Sequence, residues 1–131
     1  MEEKFKLEII SPEEIIFSDN IIAVTLPSYE GDMGILKDHI SIITFLRPGI
    51  IKLEKEDKKF EQFFVQDGTI EYFKDTLVVL SASAKNVKEL SKEFVENLSK
   101  NTEKKLLDKE ITDQDRYVLH HKLDVLQEIR I

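Results

Sequence analysis

The chain has 131 residues, of which 41% are hydrophobic and 34% charged, with no cysteine and a formal net charge of −7. This length favours one main domain with a small appendage, and the lack of cysteine excludes disulfides and thiolate metal sites. The acidic balance argues against non-specific binding to nucleic acid or to anionic membranes, and we expect no nucleic-acid partner and no direct insertion into lipid. The apolar runs are far shorter than a membrane span, and the N-terminal "MEEKFKLEII" lacks the basic-then-apolar pattern of a signal peptide.

Two regions of different composition meet near residues 84–90. Residues 1–84 contain 16 acidic and 9 basic residues, whereas residues 85–131 contain 10 of each. No glycine or proline follows Gly68, and seven of the eight phenylalanines precede residue 85. We therefore predict two domains, one spanning 1–84 and the other spanning 85–131.

The first region has the short alternating segments and frequent turn signals of an all-β domain. An Asp-Asn turn is predicted at residues 19–20, and Asp67-Gly68 predicts a β-hairpin. We expect eight or nine strands in a mostly antiparallel β-sandwich or flattened barrel. The stretches predicted as strands are "KFKLEII", "EIIFSDN", "IIAVTLP", "ISIITFL", "IIKLEKE", "KFEQFFVQDG", "TIEYFKD" and "TLVVLSAS".

The stretch "FEQFF" places aromatic residues on both faces of one predicted strand. Side chains alternate along a strand, so Phe63 lies on one face while Phe60 and Phe64 lie on the other. We expect one face to lie inside the sandwich and the other to be covered by a helix or a partner.

The second region changes to helical spacing, interrupted at "ITDQD". Thr112, followed three residues later by Asp115, resembles a capping box at the start of a second helix. The pattern predicts an antiparallel two-helix hairpin, less stable than the sandwich and able to move, so the whole chain is α+β. The predicted apolar stripes are Leu90, Phe94, Leu98 and Leu106 in the first helix, and Leu119, Leu123, Leu126 and Ile129 in the second.

The glycine-rich stretch "EGDMGILKDH", residues 30–39, is the main candidate for a functional site. It lacks the Gly-Lys-Ser/Thr of a P-loop, the helix of a dinucleotide fingerprint and the serine of a nucleophile elbow. His39 could form a general-base pair with Asp32 or Asp38, or a metal site with both. However, a lone histidine lacks partner ligands at the spacing that a metal site needs. The favoured interpretation is a tight, glycine-shaped turn that faces a protein partner.

Two adjacent histidines, His120 and His121, lie in the predicted second helix. Neighbouring residues point about 100° apart on a helix, so this pair does not match the i, i+4 spacing of zinc ligands. We interpret them as solvated or helix-packing residues. The sequence contains no catalytic or metal-binding constellation, so we expect a chain that is not itself an enzyme.

The ordered series of motifs resembles the epsilon subunit family of bacterial and chloroplast F-type ATP synthases, called delta in mitochondria. Residues 6–53 carry the resemblance, with "EGDMGILKDH" followed by Pro48-Gly49, and "DGTIEYFKDTLVVLSASA" continues it. The resemblance implies a sandwich of about ten strands and a C-terminal helical hairpin. It also implies a non-catalytic subunit of the rotor's central stalk, which clasps the gamma subunit and rests on the ring of c subunits.

By the same resemblance, this subunit couples ion-driven rotation of the c-ring to ATP synthesis through gamma, as a peripheral protein on the cytoplasmic face of a bacterial inner membrane. The C-terminal helices of similar proteins extend into the alpha–beta hexamer and inhibit ATP hydrolysis. The residues implied to face the ring are Glu30, Gly31, Asp32, Met33, Gly34 and His39.

Some relatives bind ATP through an I/L-D-x-x-R-A motif at the start of the first helix. The matching stretch here is "LSKEFV", in which Ser91 replaces the acid and Phe94 the arginine. We therefore expect no cofactor, and ATP as a regulatory ligand is kept as the disfavoured alternative. The D-x-x-R at Asp113 and Arg116 is interpreted as capping plus a surface salt bridge.

Two other classes remain open at this point. A free ligand-binding sandwich predicts a concave polar pocket, and an enzyme predicts clustered titratable groups in a cleft. A rotor subunit instead predicts an exposed apolar patch that a partner covers.

Overall fold

The computed structural model of the chain describes residues 3–129. Ten β-strands precede two α-helices, which confirms the predicted α+β architecture of a β-sandwich followed by two helices. The strands are β1 Phe5–Ile10, β2 Ile15–Ile21, β3 Ala23–Ser28, β4 Gly31–Ile35, β5 Ile42–Leu46, β6 Gly49–Lys55, β7 Lys59–Val65, β8 Gly68–Phe73, β9 Thr76–Leu80 and β10 Lys85–Asn86; the helices are α1 Lys92–Leu106 and α2 Asp113–Glu128.

The strands form two layers. One layer has the order β10-β7-β6-β3-β4 and the other the order β5-β8-β9-β1-β2. A single residue pair, Ser28 with Leu46, joins β3 to β5 and connects the layers. Most pairs are antiparallel, as predicted, but β1 and β9 pair in parallel. The last strand, β10, lies just beyond residue 84, where the sequence analysis ends the first domain.

The sandwich core is built from the inward-facing positions of both layers. Seventeen buried apolar residues form one cluster, and Tyr72 is among its largest fully buried side chains. Alternation along β1 is typical of the whole sandwich, because Phe5, Leu7 and Ile9 are buried while Lys6 is exposed. This alternation explains why the strand pattern could be predicted from the sequence.

Two predicted turns are wrong. Asp19 and Asn20 lie within β2, where their Cα partners are Leu7 and Lys6, because β1 extends far enough to pair as far as Ile21. Asp67-Gly68 does not form a hairpin, since β7 pairs with β6 and β10 whereas β8 pairs with β5 and β9. The chain instead crosses from one layer to the other at this point.

Gly68 explains the crossing. Its φ is +145°, and a Cβ atom there would lie 2.4 Å from the Leu80 carbonyl oxygen and 3.0 Å from the Ser81 Cβ. A glycine is therefore required by both conformation and space. The Ser81 hydroxyl donates to the Asp67 carbonyl at 2.7 Å, which fixes the crossing against β9. The same dipeptide that favours a hairpin turn thus serves as a corner between layers.

The two helices pack on the outer face of β6 and β7. Phe64, Leu90 and Leu126 are buried in this second cluster. The prediction for "FEQFF" is confirmed for Phe63, which belongs to the sandwich core, and for Phe64, which the helices cover, but not for Phe60. Phe60 is 62% exposed near the start of the same strand. The partly buried members are Ile50, Val87, Phe94, Val95, Leu98, Val125 and Ile129.

Both helices begin at side-chain caps. The Ser91 hydroxyl accepts from the Phe94 N–H at 3.0 Å, and the Thr112 hydroxyl accepts from the Asp115 N–H at 3.0 Å. The second cap confirms the predicted helix start at Thr112. Residues 107–112 join the helices, and the two helices pack against each other.

Candidate functional site

The glycine-rich stretch begins with a hairpin. Ser28 at the end of β3 is paired with Gly31 at the start of β4, so Tyr29 and Glu30 form a two-residue turn. Gly31 has a φ of +128°, and the Ser28 hydroxyl donates to the Gly31 carbonyl at 2.6 Å. The glycine turn is therefore confined to residues 29–31, and strand β4 follows as far as Ile35. A second turn lies at residues 37–38, where Asp38 has a φ of +66°.

The predicted ring-facing residues alternate along β4. Glu30, Asp32 and Gly34 are exposed, whereas Met33 is partly buried and packs against the sandwich core. Nothing lies within 4 Å of a Cβ atom placed on Gly34, which leaves an open backbone surface beside Asp32. The hairpin thus presents two carboxylates and bare backbone on its outer face.

His39 lies away from this hairpin. The turn is next to Leu46, which pairs with Gly68 at the start of β8, whereas His39 packs edge-on against Tyr72 near the end of β8. Four residues of strand at about 3.4 Å each place these points roughly 14 Å apart. The structure therefore brings Glu30, Gly31, Asp32 and Gly34 together but does not add His39 to them.

The segment around His39 is fixed by a hydrogen-bonded clamp. One Asp75 carboxylate oxygen accepts from the Asp38 N–H at 3.0 Å and from the Tyr72 hydroxyl at 2.8 Å. These two donors, the Asp38 N–H first, hold the pKa of Asp75 below its ordinary value. Burial, followed by the hydrogen bond to Asp75, raises the pKa of Tyr72 to about 12. The clamp ties the loop before β5 to the turn between β8 and β9.

An exposed apolar face covers the outer side of β5, β8 and β9. We define this apolar face as Ile43, Phe45, Phe73, Val78 and Leu80. Ile43 is 75% exposed and Phe45 60% exposed. Register aligns Phe45 and Leu80 across Thr69, and Ile43 and Val78 across Glu71, so the side chains form two rows. Thr69 and Glu71 of β8 lie between the apolar members of each row. An exposed apolar surface with a few polar residues is typical of a protein interface.

A groove of about 680 Å³ continues this face at its Phe45–Leu80 edge. Ile10, Pro12 and Tyr29 contribute to its lining, so it extends from the apolar face to the turn of the hairpin. The two surfaces are therefore adjacent on the sandwich.

Arg47 connects the sandwich to α2. Its guanidinium lies 3.5 Å from an Asp32 carboxylate oxygen, 3.2 Å from the Tyr117 hydroxyl and 3.1 Å from His121 Nε2. His121 is therefore a helix-packing histidine, as interpreted from the sequence, whereas His120 is exposed. Neither Arg47 nor Tyr117 was predicted from the sequence.

The positions of the ATP-binding motif have structural roles here. Ser91 caps α1, and Phe94 packs in the helix cluster with the Lys85 ammonium 4.3 Å from its ring centre. The salt bridge predicted between Asp113 and Arg116 is not formed; Arg116 instead donates to the Leu106 carbonyl at 3.5 Å. This carbonyl at the end of α1 lacks an intrahelical partner, so it attracts the cation.

A cleft between the helices and the sandwich carries mixed charge. Lys105 and Lys122 line it together with Asp67, Asp108 and Asp115. Burial, followed by repulsion from Lys105, lowers the pKa of Lys122. Within residues 3–129 no group of three or more histidine and acidic side chains is arranged to hold a metal ion. No helix in that range has the length and hydrophobicity to cross a membrane.

Comparison with known proteins decides the family. The family model described as "ATP synthase, Delta/Epsilon chain, beta-sandwich domain" matches residues 4–87. The chain belongs to the ATP synthase delta/epsilon family. The matched residues include all ten strands, so the model covers the sandwich and ends just before the helices.

Curated members of the delta/epsilon family match along nearly the whole chain. The ATP synthase epsilon chain of Pelagibacter ubique is 41% identical over 128 residues, which cover 97% of this chain and 98% of that one. The ATP synthase epsilon chain of Parvibaculum lavamentivorans is 33% identical over 130 residues, which cover 99% and 98% respectively. The similarity therefore includes the helices.

Solved structures share the delta/epsilon fold at lower identity. A chain of the Euglena gracilis mitochondrial ATP synthase, in a structure of OSCP, F1 and c-ring, aligns with a TM-score of 0.73 at 21% identity, over 95% of this chain and 78% of that one. A chain of the Tetrahymena thermophila central stalk and c-ring aligns with a TM-score of 0.63 at 13% identity, over 97% and 96%. These two likenesses support the fold.

The apolar face has a signal in the sequence. In "ISIITFL", Ile42 and Leu46 occupy one side of the strand while Ile43 and Phe45 occupy the other. Apolar residues on both sides of a strand indicate that both faces are covered in the working molecule. The Arg47 contacts had no such signal, because they depend on how α2 is placed against the sandwich.

Proposed function

We propose that this chain is a non-catalytic central-stalk subunit of an F-type ATP synthase, which passes rotation of the c-ring to gamma and so couples ion flow to ATP synthesis. Membership of the delta/epsilon family supports the assignment. The observation that carries it is the apolar face, because a chain that worked alone would gain nothing from exposing Ile43 and Phe45 to water.

Gamma is the proposed partner of the apolar face. Burying these side chains would contribute roughly 25 cal/mol for each Å² of apolar surface removed from water. The Asp75 clamp supports this interface, because it fixes the segment before β5 while the chain is still unbound. A preorganised surface loses less conformational entropy on binding, which suits a joint that carries torque.

The hairpin is the proposed contact with the c-ring. Its exposed carboxylates Glu30 and Asp32 suit basic or polar loops, and Gly31 and Gly34 allow close backbone approach. Met33 would support the hairpin from the core side. His39, at the other end of β5, belongs with the edge of the apolar face in this proposal.

The helices are the proposed regulatory element. We propose that they leave the sandwich, extend along gamma towards the alpha–beta hexamer and inhibit ATP hydrolysis. Their small buried cluster suits a reversible contact. We also propose that no ATP binds them, since three acids line the cleft beside its two lysines and would repel phosphates. A higher melting temperature in magnesium-ATP would contradict this. The proposed location is the cytoplasmic face of a bacterial inner membrane.

Two matched substitutions test the gamma interface. Phe45 is 60% exposed on the apolar face and Phe60 is 62% exposed elsewhere, so both changes to serine remove a similar exposed ring. We expect Phe45→Ser to weaken binding to gamma by at least tenfold in calorimetry and Phe60→Ser to leave it unchanged. Equal effects of the two variants, or no binding of gamma by the unaltered chain, would contradict the proposal.

The regulatory part needs a separate assay. ATP hydrolysis by the catalytic complex would be measured without the chain, with the full chain, and with a version that ends at Val87 and so keeps β10. We expect the full chain to slow hydrolysis and the shorter version to bind gamma without slowing it. Equal rates with both versions would remove the inhibitory role and leave the coupling role intact.

A further inference from the structure

Arg47 is anchored on the sandwich and reaches across to the helices. Its backbone N–H donates to the Pro27 carbonyl at 2.9 Å, which fixes the residue beside β3. Its side chain is only 16% exposed, and the guanidinium donates to Tyr117 and His121 on α2. Tyr117 and His121 are one helical turn apart, and their rings contact edge to face with centres 4.8 Å apart. The Arg47 guanidinium is therefore held by two neighbouring side chains of α2.

The contact with His121 defines the protonation state of that histidine. An arginine has five N–H donors and no acceptor, so at 3.1 Å His121 Nε2 must be the acceptor. The ring is then neutral and carries its proton on Nδ1. A protonated ring would place an N–H donor and a second positive charge against the guanidinium. The hydrogen bond therefore exists only while His121 is neutral.

Other charged groups around this contact come from three elements. Asp32 approaches from β4 and Lys52 from β6, while Asp124 and Glu128 follow along α2. The three carboxylates reduce the repulsion between two cations, and Lys52 adds to it. Neither effect restores the lost hydrogen bond, because a protonated imidazole has no acceptor to offer the arginine. On α2 itself, His120 and Lys122 are the charged or titratable neighbours of His121 in the sequence.

We propose that Arg47 and His121 form a pH-sensitive latch, which holds α2 on the sandwich while His121 is neutral and weakens when His121 takes a proton. The regulatory meaning of this latch rests on the proposed function, since only a mobile tail needs one. Within residues 3–129, the cluster between the helices and the sandwich contains three buried apolar residues, so a charged hydrogen bond is a substantial part of what holds α2 in place. Acidification would thus favour release of the tail.

The test uses the full chain on its own. Because the chain has no cysteine, Ser18→Cys and Gln127→Cys place two fluorophores at exposed positions on β2 and α2. Energy transfer between them is measured from pH 8 to pH 5.5. We expect the ratio of released to docked molecules to rise by up to tenfold for each pH unit at the acid end of this range.

Three further variants separate the latch from general acid effects. His121→Gln keeps an acceptor without a titrating group, so its energy transfer should stay constant over this range. His120→Gln is the matched control, since that side chain is exposed, and it should keep the unaltered pH response. Arg47→Gln should raise the released fraction at pH 8 by roughly tenfold and flatten the response.

Two results would overturn the latch. One is energy transfer that does not change between pH 8 and pH 5.5 in the otherwise unaltered chain. The other is a His121→Gln variant that responds to pH as strongly as the His120→Gln variant. The measurement needs neither gamma nor the ring, so either result would leave the proposed rotor function standing, to be judged by binding to gamma.

Discussion

Leu126 offers a direct test of whether the helices and the sandwich are separate packing units. Its side chain is 2% exposed and lies in the cluster with Phe64 and Leu90. Leu126→Ala removes three buried carbons, which at about 0.8 kcal/mol each amounts to about 2.4 kcal/mol. The docked state of the tail should therefore lose roughly fiftyfold in population relative to the released state.

Limited proteolysis measures this change. When reclosing is fast, cleavage of a transiently open segment follows the open population, so cleavage in α1 and α2 should accelerate by a similar factor. The melting temperature of the sandwich should stay within about 2 °C, because Leu126 is not part of its core.

Leu77→Ala is the matched control, since Leu77 is fully buried among the seventeen apolar residues of the sandwich core. We expect it to cost about 3–5 kcal/mol and to lower the melting temperature of the sandwich by at least 10 °C. If Leu126→Ala lowered that melting temperature as much as Leu77→Ala does, the two clusters would form one cooperative unit and the reasoning would be wrong.

Two further predictions concern the sandwich. Gly68→Ala should lower the free energy of unfolding in urea by at least about 2 kcal/mol, because the new Cβ would meet the Leu80 carbonyl. Gly34→Ala is the control and should change it by less than about 0.5 kcal/mol, because the space around Gly34 is open. Similar costs at both sites would contradict this prediction. The lowered pKa of Asp75 means that its charge stabilises the fold above the ordinary pKa near 4, and that this contribution disappears as pH falls through the lower value in the folded chain. Asp75→Asn should therefore be less stable than the unaltered chain at pH 6, and the difference in stability should narrow in acid. A difference that does not change with pH would count against the clamp.

The strand and helix pattern could be predicted because burial in this chain follows local periodicity. Phe5, Leu7 and Ile9 alternate with outward residues, and the pattern remains visible without any tertiary information. The start of the second helix could also be predicted from neighbouring residues, since the Thr112 cap involves only the residues that follow it. Where a side chain's role is decided within about four residues, sequence reasoning was sufficient.

The errors occur where distant partners decide the outcome. Asp19 and Asn20 remain in strand because β1 pairs with them, and Asp67-Gly68 turns a corner because Leu80 and Ser81 lie against it. The resemblance grouped His39 with the hairpin, whereas β4 places it towards the other end of β5. Such choices depend on strand order, which a single sequence does not reveal.

The parallel pairing of β1 with β9 has a consequence for how the chain is made. The first strand leaves the ribosome some seventy residues before the strand that it lies beside, with Lys6 opposite Thr76 and Ile10 opposite Leu80. Until β9 follows, β1 has only β2 as a neighbour, and an isolated pair of strands is at best marginally stable in water. The sandwich can close only after Leu80 has emerged, so its N-terminal strand is the first to be synthesised and among the last to be secured.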